Sequence, residues 1–140
     1  MAKLISEADV KRAVQRHLDG KGYKVVDSRE KHETGADLIM RGRRNGRYII
    51  IEAKGETGAK SEQENKIIHA LGQIVTKFRK HPNYFFGLAF PCGWKQRIGK
   101  KINRDAMAAL NLVIYLVREN GSVEEIGRGR YKKAFANAKD

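Results

Sequence analysis

Hydrophobic and polar positions along the chain follow two different periods, and these periods predict its elements. Apolar residues recur at helical spacing in three segments, 6–19, 61–79 and 94–110. Short apolar runs between turn residues predict five strands, at 23–27, 36–40, 48–54, 84–90 and 111–117. The resulting order αβββαβαβ predicts an α/β fold, with a mixed central sheet flanked by helices on both faces.

Local signals define the first helix and a hairpin. Ser6 is expected to cap the first helix, with Asp9 at the third helical position completing a capping-box arrangement, and Gly20 ends the helix. Between the second and third strands, Asn45-Gly46 is typical of a two-residue type I′ turn. The two strands are therefore predicted to pair as an antiparallel hairpin.

Composition indicates one folded domain. A chain of 140 residues can bury a single core, so we expect one domain over residues 1–127 and a loose, basic tail over 128–140. No apolar run approaches the length of a membrane span, and the N-terminus lacks the pattern of a signal peptide. A single cysteine, Cys92, suits a reducing compartment. The sequence therefore predicts a cytoplasmic protein with no membrane partner.

The charge of the chain indicates a polyanionic partner. Lysine and arginine number 29 against 16 acidic residues, which gives a net charge of +13. A solubilising surface usually needs a smaller imbalance, and no basic amphipathic segment carries aromatic membrane anchors. Nucleic acid is therefore the expected partner, rather than a membrane or a small-molecule substrate.

The hairpin brings carboxylates together. If Asn45 and Gly46 form the turn, Asp37 pairs with Lys54, and Glu52 lies diagonal to Asp37 on the same face. Two carboxylates this close repel each other unless a proton or a cation lies between them. Hard oxygen ligands suit Mg²⁺ better than Zn²⁺. A simple salt bridge between Lys54 and Asp37 is the structural alternative.

Glu7 is a further candidate, because it lies in the first turn of the first helix on the core-facing stripe. Its carboxylate can reach toward the sheet, or it can be a solvated residue that compensates the helix dipole. The sequence leaves both possibilities open.

Taken together, these motifs resemble the PD-(D/E)xK nuclease superfamily, which has the restriction-endonuclease-like fold. The matching pieces are a helix carrying Glu7, then "GYKVVD", "TGADLIM" with Asp37, and "IIIEAKGE" with Glu52 and Lys54. The resemblance covers roughly residues 6–117. In length the chain is similar to small stand-alone members of the superfamily, such as archaeal Holliday-junction resolvase-like and Mrr-like restriction proteins. One departure is Ala36, which stands where the family's proline would be.

The resemblance implies a Mg²⁺-dependent endodeoxyribonuclease. Within that class, it favours a structure-selective enzyme similar to junction resolvases. Asp37, Glu52 and the backbone carbonyl of Ala53 would hold Mg²⁺, for which Mn²⁺ is expected to substitute. Lys54 would orient or deprotonate the attacking water, and Glu7 would support a second ion or its water. A homodimer is expected, since cutting two strands needs two symmetric sites. The alternative is a non-catalytic DNA-binding protein that retains the fold.

Basic and polar residues outside this set are candidates for contacts with DNA. They are Arg43, Arg44 and Arg47 at the hairpin, Gln73 on the second helix, and Lys95, Arg97, Lys100 and Lys101 beside Trp94. The second helix has an apolar stripe of Ile67, Ile68, Leu71, Ile74, Val75 and Phe78. Gln73 lies off this stripe, which favours a surface glutamine, and Gln63 is a comparable candidate. Trp94 either stacks on nucleic acid or belongs to the core.

Overall fold

A computed structural model describes residues 4–28, 37–58 and 62–136. The helices of these ranges are α1 (Glu7–Asp19), α2 (Gln63–Lys77), α3 (Lys95–Lys101), α4 (Arg104–Ala109) and α5 (Tyr131–Ala134). The strands are β1 (Tyr23–Ser28), β2 (Leu38–Gly42), β3 (Tyr48–Ala53), β4 (Tyr84–Pro91), β5 (Leu112–Val117) and β6 (Val123–Ile126). Some predicted positions lie outside the described residues. They are Ala36 at the start of the second predicted strand, Ser61 at the start of the second predicted helix, and residues 137–140 at the end of the tail.

The six strands form one mixed sheet in the order β1-β2-β3-β4-β5-β6. β1, β2 and β3 pair antiparallel, β3, β4 and β5 pair parallel, and β6 returns antiparallel to β5. Parallel neighbours need crossover connections, which α2 provides between β3 and β4 and α3 with α4 provides between β4 and β5. The predicted α/β class with a mixed sheet is confirmed.

Helices cover both faces of the sheet. On one face α1 buries Val10 and Val14 against Leu38 and Ile51 of the hairpin. On the other face Ile67, Ala70 and Ile74 of α2 join a larger cluster that contains Phe86, Phe90 and Trp94. Trp94 is therefore a core residue. None of the helices in the described ranges is long and apolar enough to span a membrane.

The start of α1 has the predicted capping box. The Asp9 amide donates to Ser6 Oγ at 3.1 Å, and the Ser6 amide donates to Asp9 Oδ2 at 3.2 Å. Two amide groups that the helix itself leaves unpaired are thus satisfied. The capping box fixes the point at which the chain enters α1, immediately before Glu7.

The predicted hairpin turn is wrong by two residues. Leu38 pairs with Ile51, and Gly42 donates its amide hydrogen to the carbonyl of Arg47 at 2.8 Å, so four residues form the connection. A type I′ turn needs positive φ at both central residues, and Gly46 has it (67°) whereas Asn45 does not. Instead, Asn45 Oδ1 accepts the Arg47 amide at 2.9 Å, which favours the longer loop.

Two predictions about the C-terminal part also need correction. The predicted helix 94–110 is split into α3 and α4, because the side chain of Asn103 accepts the Ala106 amide at 2.8 Å and starts a new helix. The tail is not loose up to residue 136, because Tyr131 and Phe135 are each only 1% exposed. The sequence shows few apolar residues there, but both aromatic rings pack into the α2 side of the core.

Candidate active site

The paired register ends at Leu38 opposite Ile51, so the next residues along the two chain segments are Asp37 and Glu52. The predicted pairing of Asp37 with Lys54 is therefore wrong. However, side chains alternate between faces with a period of two, so a shift of two residues leaves each side chain on its original face. The alternation therefore still predicts one face for Asp37, Glu52 and Lys54, with Asp37 and Lys54 immediately outside β2 and β3.

Two hydrogen bonds join Asp37 to β3. The Ala53 amide donates to Asp37 Oδ2 at 2.8 Å, and the Asp37 amide donates to Glu52 Oε2 at 3.3 Å. Each carboxylate thus accepts a backbone N–H from the opposite strand. This reciprocal arrangement holds both side chains at the same end of the hairpin.

Glu52 is the only polar or charged residue that is buried within the described ranges, with 1% of its surface exposed. Burial raises the pKa of its carboxyl group, and the neighbouring charge of Asp37 adds to this effect. The ammonium group of Lys77, 3.0 Å from Glu52 Oε1, opposes it. Burying a carboxylate is costly unless a cation compensates it, so this position on β3 strongly favours a bound positive charge.

A close contact between chain segments brings Glu7 to this site. A β-carbon at Gly55 would overlap the backbone of Ser6 and Glu7, so the start of α1 lies directly against the segment after β3. Two hydrogen bonds reinforce the contact: Ile5 donates to Glu56 Oε1 at 2.9 Å, and Glu56 donates to the Ile5 carbonyl at 2.7 Å.

The environment of Glu7 resolves the choice that the sequence leaves open. Its side chain is half-buried. Desolvation raises the pKa of its carboxyl group, the charge of Asp37 raises it further, and Lys54, Lys11 and Lys66 lower it. Glu7 therefore lies within electrostatic range of Asp37, Lys54 and Lys66, and it is not simply a solvated helix-start residue.

Lys54 lies two residues after Glu52, immediately beyond the end of β3, and is half-buried. Its amide donates to the Ala89 carbonyl of β4 at 3.0 Å, which fixes its backbone although β3 has ended. The expected alternative was a salt bridge to Asp37, but the described residues contain no ion pair between Lys54 and Asp37. The charge of Lys54 acts on Glu7 instead.

One face of α2 contributes polar residues that the sequence analysis missed. Lys66 donates to the Gly55 carbonyl at 3.1 Å, and Lys77 contacts Glu52. Gln73 lies between them on the same helical face and is half-buried rather than on the surface, with an Oε1 atom that is buried without a partner in the described residues. The helical spacing of residues 66, 70, 73 and 77 could have indicated this polar face. It was missed because the apolar stripe of α2 was assigned around Leu71, whereas the buried side of the helix lies around Ile74.

The donor set of the site fits a hard divalent cation. Two hairpin carboxylates with a third on α1 offer only oxygen ligands, the type that Mg²⁺ and Mn²⁺ prefer. Hydrogen bonds use only part of the lone pairs of Asp37 and Glu52. The described residues do not bring three or more acidic, histidine or cysteine ligands into metal-binding distance of one another. The protein would therefore supply two direct carboxylate ligands, and Ala53, between Glu52 and Lys54, has its backbone at the same place.

The basic candidates lie in two regions. Arg43, Arg44 and Arg47 are exposed at the hairpin connection, about 20 Å from Asp37 along β2. On α3, Arg97 and Lys101 approach Glu64 of the first turn of α2 at 3.8 and 3.6 Å. Lys100 on the same helix is exposed. Lys95 forms an ion pair with Glu124, with 3.3 Å between Lys95 Nζ and Glu124 Oε1.

The chain was also compared with known proteins. No protein-family model, no curated protein and no solved structure matches it. The functional argument therefore depends on the geometry and chemistry of the residues described above.

Proposed function

We propose that the protein is a Mg²⁺-dependent endodeoxyribonuclease of the PD-(D/E)xK type, with the restriction-endonuclease-like arrangement of its sheet and helices. The observation that carries the proposal is the buried Glu52, whose carboxylate accepts the amide hydrogen of Asp37 and which lies two residues before Lys54. A structural role alone gives little reason to bury a carboxylate beside a second carboxylate. A cation site that acts on phosphodiesters gives such a reason.

Asp37 and Glu52, with the Ala53 carbonyl, are the residues that would hold the ion. Mg²⁺ at that position supplies Lewis acidity toward a phosphoryl oxygen and water. Mn²⁺ is expected to substitute, because it has similar ligand preferences. The hydrogen bonds between the two strands keep the carboxylates oriented before the ion arrives, so little reorganisation is needed on binding.

Lys54 and Glu7 act on the water and on the phosphate. The Lys54 ammonium group orients the attacking water and offsets the negative charge that develops on the phosphate in the transition state. Lysine suits this position because its charge is compact and is carried on a flexible side chain with three hydrogen-bond donors. Glu7, with a raised pKa at this place, accepts a hydrogen bond or a proton from the water.

The substrate we propose is DNA, read by its backbone and shape. A net charge of +13 with exposed arginines at the hairpin favours phosphate contacts. The described fold is one compact sheet with its helices and offers no separate module for reading base sequence. A structure-selective enzyme, similar to junction resolvases, is therefore favoured over a site-specific one.

We also propose that it works as a homodimer. Ile68 and Val75 are 53% and 56% exposed, and they lie two helical turns apart on α2. In an antiparallel contact between two copies of α2, Ile68 of each copy would cover Val75 of the other, as a two-fold axis requires. Sedimentation of the wild type and of Ile68→Lys tests this proposal. A wild-type protein that sediments with the mass of a monomer would refute it.

A panel of DNA substrates tests the activity. The protein is incubated with plasmid, linear, single-stranded, flap and four-way-junction DNA in Mg²⁺ or EDTA, beside Lys54→Ala. We expect Mg²⁺-dependent cutting of at least one branched substrate and its loss in Lys54→Ala. If nothing is cut while DNA is still bound, the rival function, a non-catalytic DNA-binding protein, is correct. If Lys54→Ala cuts normally, Lys54 is wrongly assigned.

A further inference from the structure

Lys77 already supplies a positive charge to the candidate metal ligand. It ends α2, its side chain is 23% exposed, and its ammonium group lies 3.0 Å from Glu52 Oε1. The other oxygen of Glu52 accepts the Asp37 amide. Lys77 is therefore the residue that compensates the buried carboxylate in the protein as it stands.

We propose that Lys77 is a built-in counter-ion and that its ion pair with Glu52 competes with the divalent cation for the same carboxylate. This inference rests on the proposed function, since it assumes that the hairpin carboxylates bind a metal. It assigns Lys77 a positioning role: it holds the Glu52 carboxylate oriented until the cation arrives.

Competition follows from charge and burial. An ammonium group and a divalent cation on one carboxylate repel each other, and the repulsion is strong because Glu52 is screened from solvent. Lysine can withdraw, since its charge is carried on a flexible four-carbon chain and its side chain has a route to solvent. An arginine would hold the carboxylate through a rigid, two-pronged contact and release it less readily.

Release of Lys77 from Glu52 also couples the binding of the divalent cation to the binding of DNA. Once displaced from Glu52, the ammonium group needs a new anionic partner, and a phosphate of bound DNA at the site provides one. The protein therefore binds divalent cations weakly alone and more tightly with DNA. Linkage requires the converse as well, so the cation strengthens DNA binding by the same factor.

Mn²⁺ binding to Lys77→Gln tests the competition without reference to activity. Free Mn²⁺ is followed by electron paramagnetic resonance at pH 8, and the Kd is expected to fall by about tenfold relative to wild type. In thermal unfolding without metal, Lys77→Gln should have a lower Tm than wild type. This difference in Tm, the gap between the two proteins, should narrow as Mn²⁺ is added. A purely structural ion pair would leave the Kd unchanged and the gap constant, which would overturn the proposal.

The control is Lys21→Gln, which removes a Lys–Glu pair of similar length, 2.9 Å to Glu125, outside the site. Its Mn²⁺ affinity should equal that of wild type. Lys77→Arg retains the pair and should bind Mn²⁺ no more tightly than wild type; tighter binding would contradict competition.

A measurement on the wild type covers the case in which Lys77→Gln fails to fold. Reductive methylation, read by mass spectrometry, should modify Lys77 faster when Mn²⁺ is present, while Lys21 is modified at the same rate. If Lys77 is equally protected with and without bound Mn²⁺, the inference fails. If wild-type protein and wild-type protein with DNA both bind no Mn²⁺, the metal site of the proposed function fails instead.

Discussion

The contact between Gly55 and the start of α1 predicts that Gly55→Ala is destabilising. A β-carbon at this position would overlap three backbone atoms of Ser6 and Glu7. Backbone cannot turn aside as a flexible side chain can, so the first turn of α1 must move, by roughly 1 Å, to restore ordinary contact distances. Such a movement displaces Glu7 from Asp37 and Lys54.

The expected magnitude combines two terms. Overpacking of a close contact costs about 1–3 kcal/mol. Replacing glycine by alanine also restricts the unfolded chain, which offsets about 0.4–1 kcal/mol of that cost. The net loss of about 1–2 kcal/mol corresponds to a Tm lower by about 3–7 °C for a domain of 140 residues. Misplacing Glu7 by this much is expected to slow cleavage by about 100-fold.

Gly72→Ala is the matched control. Gly72 lies within α2, is exposed, and a β-carbon there meets no atom within 4 Å in the protomer. Because Gly72 shares its helical face with Ile68 and Val75, both variants are measured at a protein concentration at which the protein is monomeric. The same chemical change should therefore stabilise the protein by about 0.5–1 kcal/mol, because alanine favours the helix. The two variants carry the same substitution and are predicted to change stability in opposite directions.

Urea unfolding followed by circular dichroism, with cleavage assayed on the same samples, measures both effects. We expect a lower midpoint for Gly55→Ala and a higher one for Gly72→Ala. If Gly55→Ala is as stable as wild type and equally active, the close packing of Gly55 against α1 does not position Glu7, and the reasoning is refuted.

Three further predictions concern other parts of the molecule. Tyr131→Phe should lower the unfolding free energy by about 1–3 kcal/mol in urea, because it removes the hydroxyl group that bonds two buried carbonyls at the end of α3; an unchanged midpoint contradicts this. Burial alone would raise the pKa of Glu125, but hydrogen bonds from Lys21 and His17 lower it below its usual range. Its stabilisation is therefore present above the unfolded pKa and is lost as pH falls through the folded pKa, so Glu125→Gln should flatten stability against pH between about 3 and 5. Arg44→Gln should reduce the slope of log DNA affinity against log salt by about 0.9, and an unchanged slope places Arg44 outside the DNA contact.

Local signals predicted the start of α1 better than they predicted the hairpin turn. The capping box of Ser6 and Asp9 depends on neighbouring residues alone, so the start of α1 could be foreseen. The turn at Asn45-Gly46 was predicted from a preference that the Asn45 side chain overrides by bonding Arg47. An error of two residues leaves each side chain on its predicted face, so the grouping of Asp37, Glu52 and Lys54 on one face stays a prediction.

The contributions of packing were beyond the reach of the sequence. Whether Lys77 reaches Glu52 depends on the rotation of α2 about its axis, which is set by which of its several apolar residues turn inward. Ile68 and Val75 are as hydrophobic as Ile74, yet they are exposed. The docking of Tyr131 likewise depends on carbonyl groups at the end of α3, which no local pattern in the tail indicates.

The central claim is that Glu52 holds the cation that activates cleavage of DNA, and Glu52→Gln tests it most directly. The substitution keeps the shape of the side chain and removes its charge. Cleavage of four-way-junction and linear DNA is measured in Mg²⁺ beside DNA binding in the same samples. The account predicts that wild-type protein cuts, that EDTA stops it, and that Glu52→Gln binds DNA but does not cut. Equal cutting by Glu52→Gln and wild type, or no cutting by wild type in Mg²⁺, would contradict it.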